Sequence, residues 1–138
     1  MIWQSPPLGD IVTSINKYSN NMMTRQLLLT LGLHHSAPPA TVDKGIAAIH
    51  AYLDELQIDR STLSIANGSG LSRDTRLSAR LLADLMLHAW QQPIMPEFIA
   101  SLPLAGLDGT MRDRLADESA TGRIHVKTGS LNGVAGVT

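Results

Sequence analysis

Helical spacing of apolar residues runs through most of this chain, whereas strong strand character is confined to its C-terminal end. There residues 123–127 alternate in polarity, Asn132 and Gly133 are typical of a tight hairpin turn, and residues 134–138 follow as a second strand. Several helices with one late hairpin would be a lopsided complete fold. The pattern instead fits part of an α/β domain, in an α+β arrangement, whose first half is missing. We therefore predict a partial fold of this class.

Two helices are predicted at the start of the chain. Apolar spacing predicts a short helix over residues 9–18 and a second one over residues 22–31, which Gly32 is expected to end. The tripeptide Ser-Asn-Asn at residues 19–21 falls at the joint between these helices.

Three more helices are predicted further along. Thr41 is expected to cap a helix whose apolar stripe runs over residues 42–56, and Ser78 a helix that continues to Pro93. A short helix over residues 96–101 follows. Between the two capped helices, residues 63–65 are predicted to form a short strand that enters a turn at residues 67–70, where Gly68 and Gly70 are expected to have positive φ.

Composition narrows the class of protein. The net charge is −1 and the basic residues are dispersed, which argues against nucleic-acid binding. No cysteine is present, so a disulfide framework and a thiolate metal site are excluded. No stretch approaches the roughly 20 apolar residues of a membrane span. The histidines lack the spacing of a metal site, and no cofactor is expected.

Both ends of the sequence have the character of interrupted elements. Residues 1–7 begin inside a predicted loop, and residues 134–138 stop inside a predicted strand. We therefore expect residues 1–138 to be the C-terminal portion of a single domain that is truncated at both ends.

Four stretches carry a resemblance to a known family. Lys-Thr-Gly at residues 127–129, preceded about a hundred residues earlier by the S-x-N pattern at 19–21, matches two of the three signatures of penicillin-binding proteins and serine β-lactamases. The sequences NGSGLSR at 67–73 and LPLAGLDGTMR at 102–112 resemble the penicillin-binding protein 4 type of D-alanyl-D-alanine carboxypeptidase/endopeptidase. The resemblance implies a partial transpeptidase-like fold, a helical cluster plus a C-terminal β-hairpin.

The resemblance implies catalytic roles for three residues. Ser19 would relay a proton toward the leaving amine, and Asn21 would hold the substrate peptide and a catalytic lysine that lies elsewhere. Lys127 would place a positive charge beside Ser19 and attract the terminal carboxylate of a D-alanyl-D-alanine stem peptide.

The same resemblance implies substrate-binding roles along the C-terminal strand. Thr128 and Ser130 would hydrogen-bond the substrate carboxylate, and the Ser130 backbone N–H would serve as one oxyanion-hole donor. Gly129 would let the substrate backbone approach closely, as an added strand.

The nucleophile is expected to lie outside these residues. Ser14 and Lys17 spell the S-x-x-K pattern of a nucleophile and its base, but a chance match of this kind arises in roughly one such chain in four. Ser14 and Ser19 are also five residues apart, so on a continuous helix their side chains would point in directions about 140° apart.

Three functions remain open at this point. The family resemblance implies a periplasmic serine-type peptidase that acts on D-Ala-D-Ala stem peptides of peptidoglycan and is inhibited by β-lactams, with this segment inactive by itself. The alternatives are a non-catalytic cell-wall module that binds stem peptides and a serine β-lactamase. The upstream reading frame discriminates between the first two, because only the enzyme requires an S-x-x-K segment there.

Overall fold

A computed structural model describes residues 4–137 of the chain. Met1–Trp3, in the predicted opening loop, and Thr138, at the end of the predicted second strand, lie outside the described residues. The described elements are helices α1 Leu8–Tyr18, α2 Asn21–His35, α3 Val42–Glu55, α4 Ala79–Trp90 and α5 Met95–Ser101, a 3₁₀ turn Gly109–Met111, and strands β1 Thr128–Leu131 and β2 Val134–Val137. The predicted helical cluster with a C-terminal hairpin is confirmed.

The two predicted helix caps are present. The Thr41 hydroxyl accepts the backbone N–H of Lys44 at 3.3 Å, and the Ser78 hydroxyl accepts that of Leu81 at 3.1 Å. Each bond satisfies a backbone donor that has no partner within its helix. The fourth helix ends at Trp90, ahead of the predicted limit at Pro93.

The prediction that Gly32 ends the second helix is wrong. Helix α2 continues to His35, and Gly32 is a buried position within it. A Cβ atom at Gly32 would lie 2.6 Å from the backbone nitrogen of Gly45 in α3. The glycine therefore permits close contact of two helix backbones, and a single sequence does not distinguish this role from that of a helix stop.

The predicted strand at residues 63–65 is also wrong. Ser64 and Arg76 form an isolated bridge, each donating its N–H to the carbonyl of the other at 2.8 Å. The turn after it matches the prediction, with Gly68 and Gly70 at φ 70° and 77°. The Asn67 side-chain oxygen accepts the backbone N–H of Ser69 at 3.0 Å, which closes this turn.

The final hairpin is present, but its first strand begins later than predicted. Strands β1 and β2 are antiparallel, with Thr128 paired to Val137 and Leu131 to Val134. The predicted strand over residues 123–127 is absent, because these residues pair with a preceding loop. Ala105 donates to the Ile124 carbonyl at 2.9 Å, and Val126 donates to the Pro103 carbonyl at 2.8 Å. Lys127 lies where the chain leaves this pairing and enters the hairpin.

The described chain divides into two compact units. One comprises the described residues up to Asn20 together with those from Pro93 onwards, and the other comprises Asn21–Gln92. In the first unit α1 packs against α5 and the 3₁₀ turn, and Ala105, Met111 and Val126 form a buried cluster. In the second unit α2 packs against α3, and Leu28, Leu53 and Leu81 are buried. None of the described helices is long and apolar enough to cross a bilayer.

Candidate active site

Ser19 lies at the C-terminal end of α1, in the first unit. Its backbone has φ 53° and ψ 52°, the left-handed conformation that commonly ends a helix and that glycine adopts most readily. The Ser19 N–H donates to the Ile15 carbonyl, and the Asn20 N–H donates to the same carbonyl at 3.1 Å. A side chain in this conformation costs about 1–2 kcal/mol, so the helix end holds the Ser19 hydroxyl in place at some expense of stability.

The side-chain ammonium of Lys127 contacts the Ser19 hydroxyl. This ammonium donates to the Ser19 hydroxyl at 3.1 Å and to the backbone carbonyl of Thr128 at 2.6 Å. Burial lowers the pKa of the Lys127 ammonium below its ordinary value, since a charge loses solvation there. The structure thus places together the predicted residues Ser19, Lys127 and Thr128.

The backbone of β1 presents hydrogen-bonding groups on the edge that faces away from β2. The two-residue loop makes Leu131 and Val134 a hydrogen-bonded pair, and bonded and non-bonded pairs alternate along an antiparallel ladder. Ser130 is therefore in a non-bonded pair, and its N–H points away from β2. Thr128 has the same orientation, consistent with its carbonyl accepting from Lys127.

Gly129 and Ser130 are exposed, and the described residues include no further strand beside β1. The predicted substrate-binding strand therefore has an accessible edge. An extended peptide can pair with such an edge through its own backbone.

Asn21 belongs to the second unit, as the first residue of α2. Its side-chain amide donates to the backbone carbonyl of Ser69 at 2.6 Å. A Cβ atom at Gly70 would lie 3.6 Å from the same amide nitrogen. The turn at residues 67–70 therefore orients Asn21, a connection that the sequence motifs alone did not predict.

Thr110 is a further neighbour of the site, through its contact with Thr128. Its hydroxyl lies 2.8 Å from that of Thr128, and either can be the donor. The sequence predicts a tight turn at residues 108–110, and the family resemblance implies that this turn lies near the edge of the site, but no direct role is assigned to Thr110 there. The available signal was the position of Thr110 within the family-like stretch 102–112, since no periodicity singles it out.

Asp108 joins the same turn to helix α1. Its carboxylate accepts from the Lys17 ammonium at 2.6 Å and from the Leu104 N–H at 2.8 Å. Partial burial by itself raises the pKa of the Asp108 carboxyl, but the hydrogen bonds from Lys17 and Leu104, together with the charges of Lys17 and His125, hold that pKa below its ordinary value. Lys17 is thus engaged by Asp108, which weakens its candidacy as a base for Ser14.

Metal chemistry has no candidate centre in residues 4–137. No group of three or more histidine, aspartate or glutamate side chains there is arranged to hold an ion. The functional groups that the described site offers for chemistry are hydroxyls, one ammonium and backbone N–H groups.

Comparison with known proteins gives a consistent family and fold. Residues 2–138 match the model of the D-Ala-D-Ala carboxypeptidase 3 (S13) family. A D-alanyl-D-alanine carboxypeptidase of Actinomadura sp. (strain R39) is 32% identical over 97% of this chain and 26% of its own length. The D-alanyl-D-alanine carboxypeptidase DacB of Haemophilus influenzae is 27% identical over 94% of this chain and 28% of its own length.

A solved structure agrees with the predicted fold class. The crystal structure of penicillin binding protein 4 (dacB) from Haemophilus influenzae is similar with a TM-score of 0.88 and 26% identity, over 96% of this chain and 30% of that one. The predicted partial transpeptidase-like fold is confirmed. The chain spans about a quarter to a third of the length of these relatives.

Proposed function

This chain belongs to the D-Ala-D-Ala carboxypeptidase 3 (S13) family, and we propose that it forms part of a serine-type D-Ala-D-Ala carboxypeptidase/endopeptidase. Its substrates are peptidoglycan stem peptides, and β-lactams acylate the same site. The observation that carries the proposal is the 3.1 Å contact between the Lys127 ammonium and the Ser19 hydroxyl. This contact joins the two signatures that carried the sequence resemblance.

The proposed reaction is acyl transfer to a serine that lies outside these 138 residues. The serine hydroxyl gives its proton to the catalytic lysine that lies elsewhere, and its oxygen attacks the carbonyl carbon of the penultimate D-alanine, so that a C–O bond forms and the C–N bond to the terminal residue breaks. The leaving amine receives a proton through the Ser19 hydroxyl. Water then hydrolyses the acyl-serine ester and releases the shortened peptide.

Lys127 has two roles in this proposal. Its positive charge favours the deprotonated character of Ser19 while the proton is in transit, and it attracts the terminal carboxylate of the substrate. A partly buried ammonium suits both roles, because an ionic interaction is stronger where water is partly excluded. Asn21, two residues after Ser19 in the sequence, is assigned to holding the substrate peptide and the catalytic lysine.

The C-terminal strand supplies the remaining groups. The Thr128 and Ser130 hydroxyls donate hydrogen bonds to the substrate carboxylate. The open edge of β1 pairs with the backbone of the extended substrate. The Ser130 N–H, which points away from β2, is one donor to the developing oxyanion. Gly129 carries no side chain that would obstruct this pairing.

The proposed location is the periplasm, where such an enzyme meets its substrate. Cell fractionation with an antibody against this chain tests it. Recovery in the periplasmic fraction supports the proposal, whereas recovery with cytoplasmic markers contradicts it.

Labelling with a fluorescent penicillin tests the activity. We expect the product of the complete reading frame to retain the label on a serine outside residues 1–138, and the 138-residue chain alone to retain none. Mass spectrometry of the labelled peptide identifies the serine. A label on Ser14 would contradict the assignment of the nucleophile.

The two alternative functions give other outcomes in the same experiment. A protein that binds a D-Ala-D-Ala peptide but neither cuts it nor retains penicillin would be a non-catalytic binding module. Rapid release of hydrolysed penicillin would identify a β-lactamase. Either result overturns the carboxypeptidase proposal.

A further inference from the structure

The hydroxyls of Thr110 and Thr128 form a direct side-chain hydrogen bond of 2.8 Å within the first unit. Thr128 is half-buried and belongs to the Lys-Thr-Gly motif, whereas Thr110 is in the 3₁₀ turn Gly109–Met111. Each hydroxyl carries one proton and two acceptor lone pairs. The pair therefore has two arrangements, which differ in the direction of the Thr128 proton.

Only one of these arrangements suits a carboxylate ligand. An ionised carboxylate accepts hydrogen bonds and donates none, so it must receive the Thr128 proton. The Thr128 oxygen is then left to accept from a neighbour. Thr110 is the neighbour placed to donate, and its hydroxyl satisfies that oxygen while the Thr128 proton is directed to the ligand.

The turn that carries Thr110 is fixed on both sides. Asp108 bonds the Lys17 ammonium and the Leu104 N–H, as described above. Gly109 has φ 54°, and a Cβ atom there would collide with the Lys17 carbonyl. Met111 is buried with Ala105 and Val126. Thr110 is therefore held on a rigid element, as a group that sets the direction of a hydroxyl must be.

We propose that Thr110 is a positioning residue for substrate binding that acts through Thr128, by donating to the Thr128 hydroxyl and directing its proton to the terminal carboxylate. The inference rests on the proposed function, because it takes the stem-peptide carboxylate as the ligand of Thr128. It adds a residue outside the three family signatures to the recognition of substrate.

Thr110→Val in the product of the complete reading frame tests the proposal. Valine keeps the shape of threonine and removes the donor. For a peptide ending in D-Ala-D-Ala we expect KM to rise about threefold to tenfold with kcat changed less than twofold. For the same peptide with an amide in place of its terminal carboxylate, we expect less than a twofold change.

Thr110→Ser and Thr30→Val are the matched controls. Serine keeps the hydroxyl and should restore KM to within twofold of wild type. Thr30 is exposed on α2, and its hydroxyl bonds the Gln26 carbonyl, so Thr30→Val measures the effect of losing a threonine hydroxyl elsewhere. Thermal melts of all variants verify folding, and Thr110→Ala replaces the valine variant if that one does not fold.

The possible outcomes distinguish failure of the positioning role of Thr110 from failure of the proposed carboxypeptidase function. Wild-type protein that turns over neither peptide overturns the proposed function and the inference that rests on it. Active wild type with an unchanged KM in Thr110→Val overturns the inference alone. Equal losses on the carboxylate and amide peptides also overturn it, because a purely structural role affects both.

Discussion

The side-chain ammonium of Lys127 lies 3.1 Å from the hydroxyl oxygen of Ser19, although 108 residues separate the two in the sequence. Ser19 ends helix α1, and Lys127 precedes strand β1. Each therefore occupies the boundary of an element, where a side chain can reach a neighbouring element without disturbing the interior of its own. Within the described first unit, this contact links a cation to the hydroxyl that we propose as the proton relay.

Loss of the Lys127 charge should abolish most of the activity without unfolding the protein. For Lys127→Met we expect penicillin acylation to slow by about 10²–10³-fold, the range typical for removal of one electrostatic contact in a transition state. The free energy of unfolding should change by no more than about 1 kcal/mol, because lost hydrogen bonds are offset by removal of a partly buried charge. Acylation kinetics and urea unfolding measure the two effects.

Lys44→Met is the matched control for this substitution. The Lys44 ammonium bonds the carbonyls of Ala37 and Pro39 in the second unit, so its loss removes a lysine with comparable bonds. Acylation by Lys44→Met should stay within twofold of wild type. An equal loss of activity in both variants would show that the effect is not specific to Lys127.

The pH dependence of acylation should report the titration of Lys127. Burial lowers the pKa of its ammonium, so this group loses its proton below pH 10.5, the ordinary value for lysine. If the protonated form is active, the acylation rate falls as pH rises through that lowered pKa. We expect the alkaline limb of kcat/KM for a D-Ala-D-Ala peptide to lie below pH 10.5.

Lys127→Arg assigns that limb to Lys127. Arginine keeps its charge to pH values above 12 but differs in shape, so we expect a lower rate and an alkaline limb displaced to higher pH. A limb at the same pH in wild type and variant would assign it to another group.

The parts of the structure that the sequence predicted well depend on local chemistry. The Thr41 and Ser78 caps each join residues three positions apart, and the turn with Gly68 and Gly70 requires positive φ. Such features are determined by a few consecutive side chains. They were therefore accessible without knowledge of the tertiary fold.

The features that the sequence did not predict depend on distant partners. Gly32 was expected to end a helix, yet it permits contact with Gly45. Residues 123–127 were expected to form a strand, yet they pair with the loop at 103–105. The contact between Thr110 and Thr128 likewise joins segments that share no periodic pattern. The pairing of Ser19 with Lys127 was expected only from family resemblance.

Because α2 and α3 are in close contact at Gly32, we expect a side chain at this position to lower the stability of the protein. The added methyl in Gly32→Ala would lie 2.6 Å from the Gly45 backbone nitrogen and 3.0 Å from Lys44 atoms, and backbone atoms cannot yield easily. We expect destabilisation of about 1–3 kcal/mol in urea unfolding.

Gly9→Ala is the control, because nothing lies within 4 Å of its Cβ position. It should stabilise the protein by up to about 1 kcal/mol, since alanine loses less backbone freedom in a helix. Similar effects of the two substitutions would contradict the close packing at Gly32.

The left-handed backbone of Ser19 predicts a conflict between stability and activity. Glycine adopts φ 53° without strain, whereas alanine retains the steric cost and both lose the hydroxyl. We therefore expect Ser19→Gly to be more stable than Ser19→Ala by about 1 kcal/mol, while both acylate penicillin about 10²-fold more slowly than wild type. Urea unfolding and acylation kinetics measure the two quantities in the same variants. A stability advantage for alanine would contradict the left-handed conformation, and near-normal acylation by either variant would contradict the relay role of the hydroxyl. The conformation suits a residue kept for its hydroxyl, because glycine would give the more stable helix end.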